Sequence, residues 1–245
     1  MKSLSVITVT YNAEATLERT LRSVGEQTYP PIEHILVDGG SKDGTLDLIR
    51  RYDNPRMRWV SEPDNGLYDA MNKGAAMASG DYLCFLNAGD AFFSSDTVER
   101  MMSPTVQNTS PDILYGETAI VDDQGAFLHM RRLKAPGKLT WKSFKQGMLV
   151  CHQAFMVKRS LFEPYDLGYR FSADVDWCIR MMKKSTVIYN TRKTLINYLN
   201  EGMTTRNRKA SLRERYRIMA RHYGHASTLL HHIWFMIRAV IHPEK

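Results

Sequence analysis

LSVITVTYNAEATLERTLRSVGEQTYPPIEHILVDGGSKDG, residues 4–44, decides the fold. SVITVTY is rich in β-branched residues, as a buried strand should be. From Ala15 to Gln27, Leu17, Leu21 and Val24 recur at helical spacing until Pro30 and Pro31 break the pattern. HILVDGG is a second buried strand, closed by a glycine pair. The alternation continues outward: a helix over Thr45–Tyr52, a strand in MRWVSE, a helix over Tyr68–Met77 and a strand in DYLCFLNAGD. Strands alternating with helices at this rhythm predict an α/β fold, a Rossmann-like parallel sheet with helices on both faces.

After Ser94 the rhythm changes. DILYGETAIVD and GAFLHMRRL read as a strand pair around the turn Asp122-Asp123-Gln124-Gly125. CHQAFMVKRSLF is strand-like and then helical, FSADVDWCIRMMKK is a helix with a polar entry and a basic exit, and STVIYN and TLINYL are two further strands. From Ala210 the chain is helical.

At 245 residues, 43% hydrophobic and 24% charged, the chain is an ordinary globular protein with room for a sizeable core. Cys84, Cys151 and Cys178 are odd in number and form no C-x-x-C pair. They therefore predict neither a disulfide framework nor a cysteine zinc site, but small buried hydrophobes in a reducing, cytoplasmic compartment. MKSLSVITVTYN is too short and interrupted for a signal peptide, and no apolar run reaches the roughly 18 residues of a membrane span.

In open parallel sheets ligands bind beyond the carboxyl ends of the strands. Those ends are polar here: Thr10-Tyr11-Asn12, Asp38-Gly39-Gly40-Ser41-Lys42-Asp43-Gly44, Glu62-Pro63-Asp64-Asn65-Gly66 and Asn87-Ala88-Gly89-Asp90. Asp38 could accept hydrogen bonds from a base or ribose, with Gly39 and Gly40 admitting a ligand close to the backbone. Equally, Asp38 and Ser41 could cap the helix that follows. GGSKDG is not a Walker loop and lacks the G-x-G-x-x-G spacing. A carboxylate placed like Asp90 can anchor a hard divalent cation, with Asn87 as a neutral oxygen ligand, or it can cap a helix before Ser94-Ser95-Asp96.

Taken together, ITVTYNAEATLERTLRSVGEQTYPPIEHILVDGGSKDGT, EPDNGLYDAMNKGAAMASGDYLCFLNAGD, CHQAFMVKRSLF and YRFSADVDWCIRM resemble, in order and spacing, the family 2 glycosyltransferases of the GT-A fold. The resemblance spans residues 4–182 and is strongest to the bacterial branch that builds exopolysaccharide, capsule, colanic acid and O-antigen. It implies an inverting hexosyltransferase that takes a UDP- or GDP-sugar donor, uses Mn or Mg, and extends a glycan acceptor, often polyprenyl-diphosphate-linked, at the inner face of the membrane. Carried across, Thr10, Tyr11 and Asn12 line the base, Asp38 contacts base or ribose, and Gly40 and Asp43 belong to the nucleotide loop. Asp64, Gly66, Asp69, Asn72 and Lys73 form the donor-side segment. FLNAGD stands at the D-x-D-type metal motif, with Asn87 and Gly89 replacing two of the usual acids and Asp90 left as the only carboxylate. Fewer acidic ligands weaken metal binding. Asp174 stands at the catalytic base, where a carboxylate takes the acceptor hydroxyl's proton. Asp176, two positions on, points to another face of the helix and takes a structural or acceptor role. His152 and Gln153 fall near the site, His152 as a metal or diphosphate contact or as a structural histidine. Trp177 and Tyr169 are core residues before they are sugar platforms.

The implied organisation is a GT-A catalytic domain over 1–205, with a nucleotide half to about residue 100 and an acceptor half over 101–205, followed by a basic amphipathic helical tail over 206–245. The tail holds nine Lys or Arg against two acids, while the preceding 205 residues carry 24 of each sign. RNRKASLRERYRIMARHYG beside apolar TLLHHIWFMIRAVI suits an anionic membrane surface, or packing on the catalytic domain or a second subunit. No nucleic-acid recognition motif accompanies the charge. A sugar nucleotidyltransferase would carry a glycine- and basic-rich loop where VTYNAEAT stands. A non-catalytic sugar-nucleotide-binding subunit is the alternative that the reduced metal motif suggests.

Overall fold

The β-branched run at the amino terminus becomes β1 (Leu4–Thr10), buried along its whole length at the centre of a sheet. β2 (Ile32–Asp38) and β4 (Tyr82–Phe85) flank it in parallel, and β3 (Met57–Ser61) lies parallel outside β2. The computed structural model describes residues 1–200 and 208–241; the expected boundary at 205–206 lies outside them, as do 201–207 and 242–245 of the segments on either side.

The connections are helices because their apolar residues repeat at helical spacing. On one face, α1 (Glu14–Gly25) and α2 (Thr45–Tyr52) bury Leu17, Leu21, Leu48 and Ile49 with Leu36 and Met57 of the strands. On the other, α3 (Leu67–Met77) lies close enough that a Cβ on Gly74 would come within 2.5 Å of the Ile7 side chain. Glycine there sets the helix-to-sheet distance, which cannot widen without opening a void in the core.

After β4 follow β5 (Ala91–Phe92), α4 (Thr97–Met101), α5 (Pro104–Thr109), β6 (Ile113–Val121), β7 (Phe127–Met130), β8 (Phe155–Lys158), α6 (Ala173–Lys184) and β9 (Ile188–Leu199). The described strands run β3-β2-β1-β4-β8-β6-β9-β5, with β7 on the side of β6. β1–β4 are parallel as the rhythm predicts. Past them the sheet is mixed, because β8 enters antiparallel to β4 and to β6. The expected hairpin is present, with Gly125 at φ +85° in its turn. STVIYN and TLINYL, expected as two strands, are one. Arg192 sits at φ +55°, and register shifts against Tyr115–Thr118 absorb the irregularity that reads as a gap in the sequence. KRSLF forms only a single 3-10 turn, at Arg159–Leu161.

Trp177 of α6 is fully buried and packs on Phe85, Phe155, Phe162 and Tyr165, the last at 4.9 Å and 23°. This aromatic cluster anchors α6 to the sheet, so that the start of the helix is held against the carboxyl edge of β4. The three cysteines are free and buried.

The tail is two helices, α7 (Arg208–Tyr223) and α8 (His225–Ile241), hinged at Gly224 with φ +83°. The basic half docks. Glu214 accepts from the backbone N–H groups of Arg170, Phe171 and Ser172 at 2.8, 2.7 and 3.0 Å. Ser211 meets Ser172, His222 meets Asp176 at 2.7 Å, and Tyr223 stacks on Trp141 at 5.5 Å and 5°. On the apolar half, Leu229, Leu230, Ile233, Trp234 and Ile237 form an exposed stripe at helical spacing. No helix among the described residues is long and apolar enough to cross a membrane.

Candidate active site

Because β1 and β4 run in parallel, Thr10 and Asn87 emerge at the same edge of the sheet. A cleft of about 420 Å3 opens there, lined by Thr10, Tyr11, Asn87, Asp90, His152, Gln153 and Asp174 of the residues expected at the site. It also takes in Tyr68, Arg131, Arg170, Tyr198 and Arg215.

Asp90 leads into β5 rather than capping a helix, and its carboxyl is buried. One oxygen accepts from the Gln153 side-chain amide at 2.7 Å and the other from the Leu199 N–H at 3.0 Å. Burial pushes the Asp90 carboxyl up to about 7, against the opposing pull of those two donors and of Arg19. A carboxylate in such a setting gains from a cation beside it. Gly89, at φ +95°, lets the turn pass Leu199; a Cβ would meet that side chain at 2.7 Å.

Asp174, the second residue of α6, faces the cleft. Its Oδ1 accepts from the Tyr68 hydroxyl at 3.1 Å, and its Oδ2 lies 3.6 Å from His152 Nδ1. Burial lowers the His152 pKa, and the nearby Asp174 charge offsets only part of this, so the imidazole is neutral. With the proton on Nδ1 toward Asp174, Nε2 presents a bare lone pair, and that atom is buried without a partner. Asn87 Oδ1 and Thr10 Oγ1 are likewise buried and unpartnered. Such orphans are uncommon and mark a place that awaits a ligand or water.

The donor set can be tested against a divalent cation on these observations. Among the described residues no group of three or more His, Cys, Asp or Glu gathers. Beside Asp174, the cleft holds the Asp90 carboxylate, one unspent amide oxygen on Asn87 and one unspent imidazole nitrogen on His152. That combination of neutral and anionic O and N ligands fits a hard to borderline divalent ion that keeps part of its coordination for phosphate and water.

Several expected residues do not line the cleft. Asp38 is fully buried and spends its carboxylate on Gly40 N–H, Ser41 N–H, the Ser41 hydroxyl and the Ser61 hydroxyl, at 3.0 Å, 2.9 Å and 2.6 Å for the first, second and fourth. It therefore shapes the glycine loop, with Gly40 at φ +81°. Asn12, at φ +48°, stitches the β1 end to that loop, donating its N–H to Ser41 Oγ and accepting from Lys42 N–H, both at 2.8 Å. Asp43 holds Thr45 at the start of α2. Asp64 holds Gly66 N–H, Asp69 holds Asn65, and Lys73 pairs with Glu62 at 2.8 Å. Asn72 clamps the Tyr165 backbone in both directions. Tyr11, by contrast, does line the cleft and is 63% exposed, a flat ring at its mouth. Asp176 is buried against Arg180 and His222, both at 2.7 Å, and ties α6 to α7.

Sequence reasoning passed over Tyr68, Arg131, Arg170, Tyr198 and Arg215. Tyr68 adjoins Asp69 in LYDAMNK, and the helical phase of Leu67 and Met71 could have turned it inward. Arg215 is hidden among the seven basic residues of 206–224, and only its neighbour Glu214, the single acid there, marks it.

The chain matches the family profile described as Glycosyl transferase family 2 over residues 5–165. A PGL/p-HBAD biosynthesis glycosyltransferase of Mycobacterium bovis is 33% identical over 207 residues, covering 80% of this chain and 76% of the relative. Two solved structures share the fold. Staphylococcus aureus TarS 1–349 in complex with UDP-GlcNAc has a TM-score of 0.69 at 18% identity, covering 89% of this chain and 64% of that one. The Pyrobaculum calidifontis mannosyltransferase PcManGT in complex with GDP-Man and Mn2+ has a TM-score of 0.65 at 17% identity, covering 90% and 64%. With a family match over most of its length, and with motif order, sheet and cleft in agreement, the chain belongs to glycosyl transferase family 2 and is a glycosyltransferase of the GT-A fold.

Proposed function

We propose that this enzyme transfers a hexose from a UDP- or GDP-sugar to a hydroxyl of a growing bacterial envelope glycan, with inversion, and that the acceptor is carried on a polyprenyl diphosphate at a membrane surface. The observation that carries the reading is the meeting of Asp174, Asp90, His152 and Asn87 in one cleft beyond the ends of β1 and β4. Tyr11 offers a ring to the base, and Thr10 offers an unspent hydroxyl. Asp174, oriented by the Tyr68 hydroxyl, takes the proton of the acceptor hydroxyl as that oxygen bonds to the anomeric carbon. The bond from that carbon to the diphosphate oxygen breaks on the opposite face, and the nucleoside diphosphate leaves with the electron pair. Asp90, Asn87 Oδ1 and His152 Nε2 would hold Mn or Mg, which when bound supplies positive charge to the departing diphosphate. Supporting the donor class, TarS and PcManGT carry UDP-GlcNAc and GDP-Man.

The exposed stripe of α8 supports the membrane part of the reading. Lys142 and Lys145 lie over the rings of Trp141 and Tyr223 beside it, and cations flanking an apolar helix face suit anionic lipid. The cytoplasmic leaflet is the surface proposed, in keeping with three free thiols.

The test is turnover. Purified enzyme is incubated with a panel of UDP- and GDP-sugars, Mn2+ or Mg2+, and a prenyl-diphosphate-linked sugar, and nucleoside diphosphate release is measured. Release that depends on the acceptor supports the reading. Donor binding without release under any combination would identify a binding subunit instead.

A further inference from the structure

The expected tail sends a side chain into the cleft. Arg215 lies on α7, one residue after Glu214, whose carboxylate grips three backbone N–H groups just ahead of α6. That grip fixes the position of α7 against the catalytic helix and brings Arg215 to the wall that Asp174, His152 and Asp90 share. Among the described residues no hydrogen bond or ion pair engages its guanidinium, and its Nε–H is buried without an acceptor.

The other cleft arginines are placed differently. Arg131 spends its guanidinium on the carbonyls of Leu133, Met148 and Leu149. Arg170 is exposed, with its guanidinium over the Phe171 ring at 5.8 Å. A buried guanidinium N–H with no acceptor among the described residues is costly in the free protein, and it is kept where an oxyanion will meet it. The chemistry at this wall supplies such an anion and is short of positive charge. Asp90 is the lone carboxylate assigned to a cation, and the leaving diphosphate gains negative charge as its bond to the sugar breaks.

We infer that Arg215 binds the diphosphate of the nucleotide-sugar donor, so that the C-terminal helix completes the active site. The inference rests on the donor reading above. It assigns to Arg215 part of the positive charge that a tightly held cation supplies elsewhere, and it gives a use to the docking of α7 through Glu214 and His222.

The experiment uses the full chain and four probes: UDP, GDP, UMP and GMP, titrated with and without Mn2+. Wild type should bind one diphosphate more tightly than its monophosphate. Arg215→Gln should weaken that diphosphate by roughly 10- to 100-fold while moving the monophosphate little, because one charge-assisted contact is lost. Arg215→Lys should recover part of the loss. Arg217→Gln, an exposed loss of the same charge on the same helix, should leave both constants unchanged. Arg215→Gln binding the diphosphate as tightly as wild type would overturn the inference. A wild type that binds neither UDP nor GDP would instead sink the donor reading, and this inference with it.

Phenylglyoxal labelling of unaltered protein, read by mass spectrometry at Arg215, keeps the question open to test even if the variants misfold. Protection by UDP or GDP but not by UMP or GMP supports the assignment. Protection only by a prenyl diphosphate would assign Arg215 to the acceptor and refute it.

Discussion

Replacing Glu214 with alanine tests how far α6 depends on α7. The carboxylate accepts from Arg170, Phe171 and Ser172 N–H at 2.8, 2.7 and 3.0 Å, and Asp174 follows two residues later. Hydrogen bonds to a charged acceptor contribute roughly 1.5–3 kcal/mol each. Arg170 N–H is exposed and regains water, so the loss is dominated by the other two bonds and partly offset as the segment relaxes. A net cost of about 3 kcal/mol follows. For a chain of this size that corresponds to a fall in Tm of roughly 6–12 °C. Glu214→Gln keeps one accepting oxygen but sets its amide N–H2 against a backbone donor, and it should fall between alanine and wild type. Differential scanning fluorimetry and urea unfolding read the stability. Turnover at a temperature where the variant is folded reads the placement of Asp174, and it should drop at least about tenfold, because small misplacements at a reacting centre are costly. A variant that melts within about 2 °C of wild type and turns over normally would refute the claim that α7 positions α6.

Acid should destabilise the protein through His34. Burial pulls its pKa down to about 3, and Thr8 Oγ1 meets its ring at 2.9 Å. The unfolded chain binds a proton near pH 6.5 that the folded state refuses, so this stability is intact above pH 6.5 and is lost as pH falls toward 3. About 2 kcal/mol should be lost between pH 7 and 5, and His34→Gln should flatten that slope in urea titrations. For the metal, Asp90→Asn should abolish any Mn2+-induced rise in Tm while shifting the metal-free Tm by less than about 5 °C, since Leu199 N–H keeps an acceptor. Thermal shifts with 1 mM Mn2+, on the order of a saturating excess, check it. For the membrane, Leu230→Ser with Trp234→Ser, at positions 68% and 51% exposed, should release the protein from anionic vesicles in flotation without lowering Tm. Flotation equal to wild type would remove α8 as the contact.

The alternation of buried strands and amphipathic helices in the first hundred residues carries its own geometry, so β1–β4 and α1–α3 are legible from pattern alone. The mixed half is not, because β8 joins β4 through only two register pairs and β9 bends at Arg192, features set by tertiary packing rather than local preference. Among site residues, Thr10 and Tyr11 at the end of β1 and Asn87 and Asp90 past β4 reach the cleft, as strand direction dictates, while Asn12 turns to the glycine loop. Asp38, Asp43 and Asp64 look equally functional in sequence, but here they close turns around glycines, since a short acid beside a tight loop serves backbone N–H groups as readily as a ligand. Asp174 and Asp176 part company for a simpler reason: two residues along a helix turn the side chain about 200°, toward the cleft in one case and toward Arg180 and His222 in the other. The tail divides between its two readings. Its charged half docks through Glu214 and His222, and its apolar half leaves Leu229, Leu230, Ile233, Trp234 and Ile237 exposed.

The proposed reaction turns on Asp174 taking the acceptor's proton. The measurement is transfer by Asp174→Asn, with donor affinity determined on the same protein. Donor dissociation constants should stay within about threefold of wild type, while turnover falls by roughly 10²- to 10⁴-fold. Turnover within about tenfold of wild type, with donor bound normally, would contradict it.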